Sequence, residues 1–253
     1  MPPLRTLLAL ALSTACAAAE ETAALFDGKS LSGWTSVGSA EWRVEEGVIV
    51  GGQDGDPRRS GILMTHETFR DFDLNLEFKI DEHGKYNSGV YLRHGPGERR
   101  QRGYQVNIGR GAAEEYVGLH FKEWLDKGDE TDTIRKPLDW NKLRIRAVGP
   151  RVEVWLNGEA IVDYTDPDPE PAQLAEGAIA FQTYGADGHA GWVKFRNIRI
   201  RDLAEANPAA IPTPQRGMER RHAEKVEAIQ GQKYRLLMIG DSITHNFDKP
   251  QFR

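Results

Sequence analysis

The sequence predicts an all-β chain folded as an antiparallel sandwich or jelly roll. Many short segments between Trp42 and Ile200 alternate apolar and polar residues, the pattern of strands with one buried face. Gly-rich turns separate them, and hardly any stretch keeps the 3.6-residue period of a helix. Asn157-Gly158 stands between two such segments, and that dipeptide suits the two positive-φ positions of a tight hairpin turn.

The clearest strand is Phe72–Ile80, where even positions are apolar and odd positions are Asp73, Asn75, Glu77 and Lys79. Residues 89–93 and 104–108 alternate in the same way. That pattern puts Tyr91 with Arg93, and Gln105 with Asn107, opposite their aliphatic neighbours, so three strands offer polar faces. Residues 142–147 and 151–156 follow, then the Asn157-Gly158 turn and the apolar Ala160-Ile-Val162. Residues 177–182 and 192–200 complete the series. After Leu203, residues 204–214 form a stiff proline-bearing linker. Residues 215–230 are charged, with enough periodicity for a short helix, although the apolar stripe is thin and needs a docking surface. A last apolar run ends in Gly240-Asp241-Ser242, which reads as one stray strand turning sharply to present a serine.

At 253 residues and 39% hydrophobic content the chain can bury one good core plus appendages. Its 33 Lys and Arg are interleaved with 38 Asp and Glu, giving a net charge of -5 and no basic stripe, so no nucleic-acid partner is expected. Arg5, an apolar stretch over residues 7–19 and Ala17-Ala18-Ala19 read as an export signal over residues 1–19. The stretch falls short of the roughly 20 residues of a bilayer span, so no membrane span is expected, and the destination is periplasmic or extracellular. Cys16, the only cysteine, leaves a lipid-anchored form as the rival, although Ser13 stands where a lipoprotein signal usually has Leu. A mature chain cleaved after Ala19 has no cysteine and depends on packing alone.

Five phrases occur in order: Leu25-Phe-Asp-Gly-Lys-Ser-Leu-Ser-Gly-Trp34, Asn87-Ser-Gly-Val-Tyr-Leu-Arg93, Trp140-Asn-Lys-Leu-Arg-Ile145, Trp155-Leu-Asn-Gly158 and Phe195-Arg-Asn-Ile-Arg-Ile200. Together they resemble the 3-keto-disaccharide hydrolase domain family over residues 23–203. That resemblance implies a concanavalin-like jelly-roll β-sandwich acting on glycosides whose sugar carries a ketone at carbon 3. Residues 215–253 resemble the first block of SGNH (GDSL-type) esterases, with the later blocks absent. Such a ketone acidifies the hydrogen on carbon 2, so a base can remove it, the enolate expels the substituent at carbon 1, and water addition completes a net hydrolysis. The site then needs a base, a donor for the enolate oxygen and an acid for the leaving group.

Glu77, on the polar face of the best-patterned strand, is the first candidate base; its bland alternative is a solvated strand residue. Arg93 beside Tyr91 suits a fork donor next to a stacking ring, or an ion pair with Glu77 across neighbouring strands. Gln105 and Asn107 stand where the family more typically has Glu and Gln, and an amide there removes a possible base. Gln182 is followed by Tyr184 where relatives often show His, and a phenol donates hydrogen bonds but is a poor base near neutral pH. These four, with Tyr91 and Arg93, are the expected substrate-binding set. His120, in Gly118-Leu-His-Phe-Lys-Glu-Trp124, is the second catalytic candidate, since imidazole titrates in the useful range; the alternative is a loop packing Phe121 and Trp124 over the sandwich edge. Asp126, Asp129, Glu130 and Asp132 match no calcium-loop spacing, so no metal or cofactor is assigned. Ser242 is a vestigial nucleophile, because only eleven residues follow it and no distant base remains. Two functions stand: a hydrolase or lyase of 3-keto-glycosides, or a carbohydrate-binding module joined to an esterase.

Overall fold

A computed structural model describes residues 22–53, 60–80, 87–95, 103–109, 116–184 and 191–203. All belong to the first of two compact units, Met1–Pro208 and Ala209–Arg253. The export signal, Cys16, the linker and the segment carrying Ser242 lie outside the described residues.

Two antiparallel sheets form a jelly-roll β-sandwich. One runs β13 (Glu159–Thr165), β12 (Arg151–Leu156), β11 (Asn141–Val148), β6 (Phe72–Ile80), β15 (Gly191–Asp202), β4 (Val48–Gln53) and β3 (Trp42–Glu45), with β1 (Ala23–Ala24) added to β15 as the eighth strand. The other, seven-stranded, runs β10 (Glu123–Asp126), β9 (Gly118–Phe121), β8 (Gln105–Asn107), β7 (Asn87–His94), β14 (Gly177–Tyr184), β5 (Ser60–Phe69) and β2 (Trp34–Gly38). The inward apolar positions of both sheets meet in one core, and a smaller cluster of Ile62, Met64, Tyr91, Ala178 and Ala180 packs separately on the outward face of the seven-stranded sheet. Phe181 of β14 stacks on Phe195 of β15 with ring centroids 4.1 Å apart, and Trp34 stacks on Phe181 at 5.2 Å.

The alternation sorts the opposite faces. On the eight-stranded sheet, β6 turns Asp73, Asn75, Glu77 and Lys79 away from the core, and β11 turns Lys142, Arg144 and Arg146. β15 contributes Lys194, Arg196, Arg199 and Arg201; a bulge at Asn197, whose φ is 54°, keeps the last two in phase with the first two. The predicted hairpin joins β12 to β13, with Asn157 at φ 53° and Gly158 at φ 94°, and the Asn157 side chain also accepts the Lys142 N–H at 3.0 Å. Residues 118–126, read from the sequence as aromatic loop or site, form the edge hairpin β9–β10. A single helical turn, α1 (Pro171–Leu174), was not visible in the pattern. It starts at a proline and is closed by Gln173, whose Oε1 accepts the Glu170 N–H at 2.5 Å.

Candidate functional site

Strand register lays one row across the outward face of the seven-stranded sheet. Trp124 pairs with His120, His120 with Gln105, Gln105 with Tyr91, and Tyr91 with Ala180. A second row sets Asn107 opposite Gly89 and Gly89 opposite Gln182. Gln105 leans across the bare Gly89 backbone, where any Cβ would overlap its amide, and donates from Nε2 to Oε1 of Gln182 at 2.7 Å. Glycine is required here for close approach, not for an unusual φ. The pair keeps the Gln105 carbonyl oxygen and the Gln182 amide nitrogen available to a ligand.

Around this pair the walls differ. On the side of β10, Trp124 meets His120 edge-on at 5.3 Å and Tyr116 at 5.2 Å, so imidazole and indole stand against each other. Burial lowers the His120 pKa below the ordinary imidazole value, keeping the ring neutral near neutral pH. On the side of β14, Tyr91 stacks on His94 at 5.1 Å, and burial pushes the Tyr91 phenol up to about 12, so it remains protonated. Tyr184, on the same face as Gln182, is 43% exposed at the strand end. Asn107 donates both amide hydrogens, to the carbonyls of Gly109 and Tyr116 at 2.8 Å each, and so braces β8 against the approach to β9.

Six of the expected residues therefore share one face: Gln105, Asn107, Gln182, Tyr184, Tyr91 and His120. Two do not. Glu77 lies on the outward face of the eight-stranded sheet, with the core between it and this row. It accepts a hydrogen bond from Arg196 Nε at 2.7 Å, and that guanidinium lies 3.8 Å from the Trp140 ring centroid. Glu77 and His120 thus do not form one catalytic pair, because β6 and β9 belong to different sheets.

Arg93 is the second correction. Its φ of 55° places it in a bulge of β7, which spends four residues, Tyr91 to His94, against the three of β14 from Ala178 to Ala180. The slip brings His94 beside Tyr91 and turns Arg93 inward, 2% exposed. There it donates to the carbonyls of Arg70 at 2.5 Å, Gly149 at 3.0 Å and Gln173 at 2.7 Å, and to Asp71 Oδ1 at 3.2 Å. Its carboxylate partner is Asp71, not Glu77. Arg93 ties loop ends together and presents nothing to a sugar on the outward face.

Sequence reasoning missed Tyr116 and His94. Tyr116 immediately precedes β9, where no strand period marks it, and His94 reaches the face only through the bulge. In the acidic stretch, Asp129 accepts backbone N–H bonds from Thr133, Ile134 and Arg135, and Asp132 chelates Arg135 at 2.8 and 3.0 Å. These carboxylates pin the loop after β10.

Residues 21–201 match the 3-keto-alpha-glucoside-1,2-lyase-like domain. A 3-keto-disaccharide hydrolase of Bacteroides thetaiotaomicron is 36% identical over 78 residues, which cover 26% of this chain and 25% of that protein; the match thus spans a quarter of the curated relative's length. The fold is shared with a candidate glycosyl hydrolase from Parabacteroides distasonis, with TM-score 0.57, 24% identity and coverage of 73% of this chain and 95% of the other. It is shared as well with a galectin-like protein from Bacillus subtilis, with TM-score 0.55, 14% identity and coverage of 72% and 94%. The chain belongs to the 3-keto-alpha-glucoside-1,2-lyase-like domain family, a family of carbohydrate-active domains.

Proposed function

We propose that this is an exported enzyme acting on 3-keto-glycosides by proton abstraction at carbon 2 and elimination at carbon 1. The observation that carries the reading is the row Trp124, His120, Gln105, Tyr91, which sets a neutral imidazole next to an amide pair on the face of a carbohydrate-family sandwich. In this reading the His120 imidazole removes the proton from carbon 2. The free amide nitrogen of Gln182 donates to the developing enolate oxygen, and the Gln105 carbonyl accepts from a sugar hydroxyl. Trp124 ends the row as an apolar wall for the sugar ring. Tyr184, exposed at the strand end, is placed to give a proton or a hydrogen bond to the leaving oxygen.

A second reading rests on one observation: among the described residues this row contains no carboxylate, and its central polar contact joins two amides. That composition also suits a carbohydrate-binding module. Isothermal calorimetry with a 3-keto-glucoside, run beside a product assay, separates the two. The enzyme reading expects turnover in the native chain, and in His120→Gln a loss of at least about a hundredfold in kcat with binding retained. Binding without turnover in the native chain establishes the module instead.

A further inference from the structure

Charges that are interleaved along the chain are sorted in space by the strand alternation. On the outward positions of β11, β6 and β15 named above, eight cations face two carboxylates, although the whole chain carries -5. Both carboxylates are already engaged. Asp73 holds Arg144 at 2.6 Å and Arg201 at 3.6 Å, and Glu77 holds Arg196 at 2.7 Å. Glu45, which also feels the field of Lys194, is held by Arg43 at 2.5 Å.

Arg146 pairs with Glu153 of β12 at 2.7 Å and Arg199 donates to Thr22, which leaves Lys142, opposite Glu77, and the pair Lys79 and Lys194. The last two are direct cross-strand partners on the same face, both half-buried, and no carboxylate among the described residues forms an ion pair with either. Like charges opposite each other in an antiparallel pair are destabilising, so this arrangement costs stability that an anion between the two ammonium groups returns. Indoles lie among these cations. Trp192 is under Lys194 at 4.6 Å, Trp155 under Arg144 at 4.6 Å and Trp140 under Arg196 at 3.8 Å.

We propose that the outward face of the eight-stranded sheet is a second binding surface, for an acidic glycan whose carboxylates or sulfates seat across Lys79 and Lys194. A glycan fits better than a nucleic acid. Duplex DNA carries a charge about every 1.7 Å along its axis and would press phosphates onto Asp73 and Glu77, whereas a sugar chain spaces its charges and can lay neutral rings against the Trp edges. The choice of a glycan leans on the carbohydrate family; the cationic pair does not. This surface lies across the core from the Gln105 row and acts independently of it.

The test uses the full chain with polygalacturonate, dextran sulfate, plain dextran, vesicles of anionic phospholipid and duplex DNA, each titrated at two salt concentrations. Polygalacturonate and dextran sulfate bind, more weakly at higher salt, and plain dextran does not. Lys79→Gln and Lys194→Gln each weaken binding by about tenfold, the factor for one charged contact. Lys79→Glu abolishes binding while raising the thermal midpoint, because a salt bridge to Lys194 replaces a repulsion. Turnover of a small neutral 3-keto-glucoside stays unchanged in all three variants. The proposal fails if the Gln variants bind the acidic glycans as the native chain does, or if DNA or vesicles bind as tightly at equal salt. A lowered midpoint in Lys79→Glu, or a loss of turnover with the lysines, overturns it equally, since either would give them another role.

Discussion

Arg93 and Asp71 form an ion pair at 3.2 Å with side-chain exposures of 0% and 5%, and they join the bulge of β7 to the start of β6. Asp71 Oδ1 also accepts the Gly149 N–H at 2.8 Å, and the Asp71 carbonyl accepts the Leu203 N–H at 2.8 Å. Burial pulls the Arg93 pKa down and the Asp71 charge pulls it back, so Arg93 depends on Asp71 to stay charged out of water. One buried pair thus closes the ends of β6, β7, β11 and β15.

Removing one partner leaves the other charge buried. Arg93→Ala is expected to lower unfolding free energy by about 3–5 kcal/mol, the range for breaking a buried pair. Its effect on ligand affinity should follow stability, not direct contact. Urea denaturation and calorimetry on the folded fraction check this. Unchanged stability with lost affinity would return Arg93 to the binding face.

Gly89→Ala should dislodge Gln105 from Gln182 while leaving the sandwich intact, because the added methyl meets only the far end of a side chain. We expect a shift of a few degrees or less in the thermal midpoint and a large loss of sugar affinity. An unchanged affinity would remove the amide pair from the site.

His120 links the site to pH. Its folded pKa lies below the unfolded 6.5, so above 6.5 both states are neutral and the group contributes nothing. As pH falls through 6.5 the unfolded chain takes up a proton that the folded chain refuses, and stability declines until the folded value is passed. Turnover should hold at pH 7 and fall on an acid limb below 6.5. An imidazole titration by NMR, with denaturation midpoints at pH 7 and pH 5, tests both. A His120 pKa above 6.5 would contradict the burial argument.

A chain ending at Leu203 should fold with nearly the native midpoint. The Leu203 N–H is the last described backbone bond, and the last described strand ends at Asp202. Calorimetry of the shortened chain, which lacks Ser242, decides the point. Loss of a cooperative transition would make the later segment part of the core.

Period-two alternation was enough to predict an all-β sandwich, the hairpin at Asn157-Gly158 and the polar faces of β6 and β8, because a strand's side chains must alternate whatever surrounds them. It placed Tyr91, Gln105 and Asn107 on outward faces correctly, whereas Gln182 and Tyr184 were singled out by the family resemblance. Sheet membership was beyond it: Glu77 and Gln105 have the same local pattern, yet long-range pairing puts β6 and β8 in different sheets and the core between them. Local pattern also failed where it was broken. The bulge at Arg93 shifts the phase by one residue, burying an arginine and bringing His94 to Tyr91, and a bulge depends on pairing with β14, not on the residues of β7 alone. The cationic face likewise emerges only when strands far apart in sequence lie side by side, since strand pairing decides which charges become neighbours.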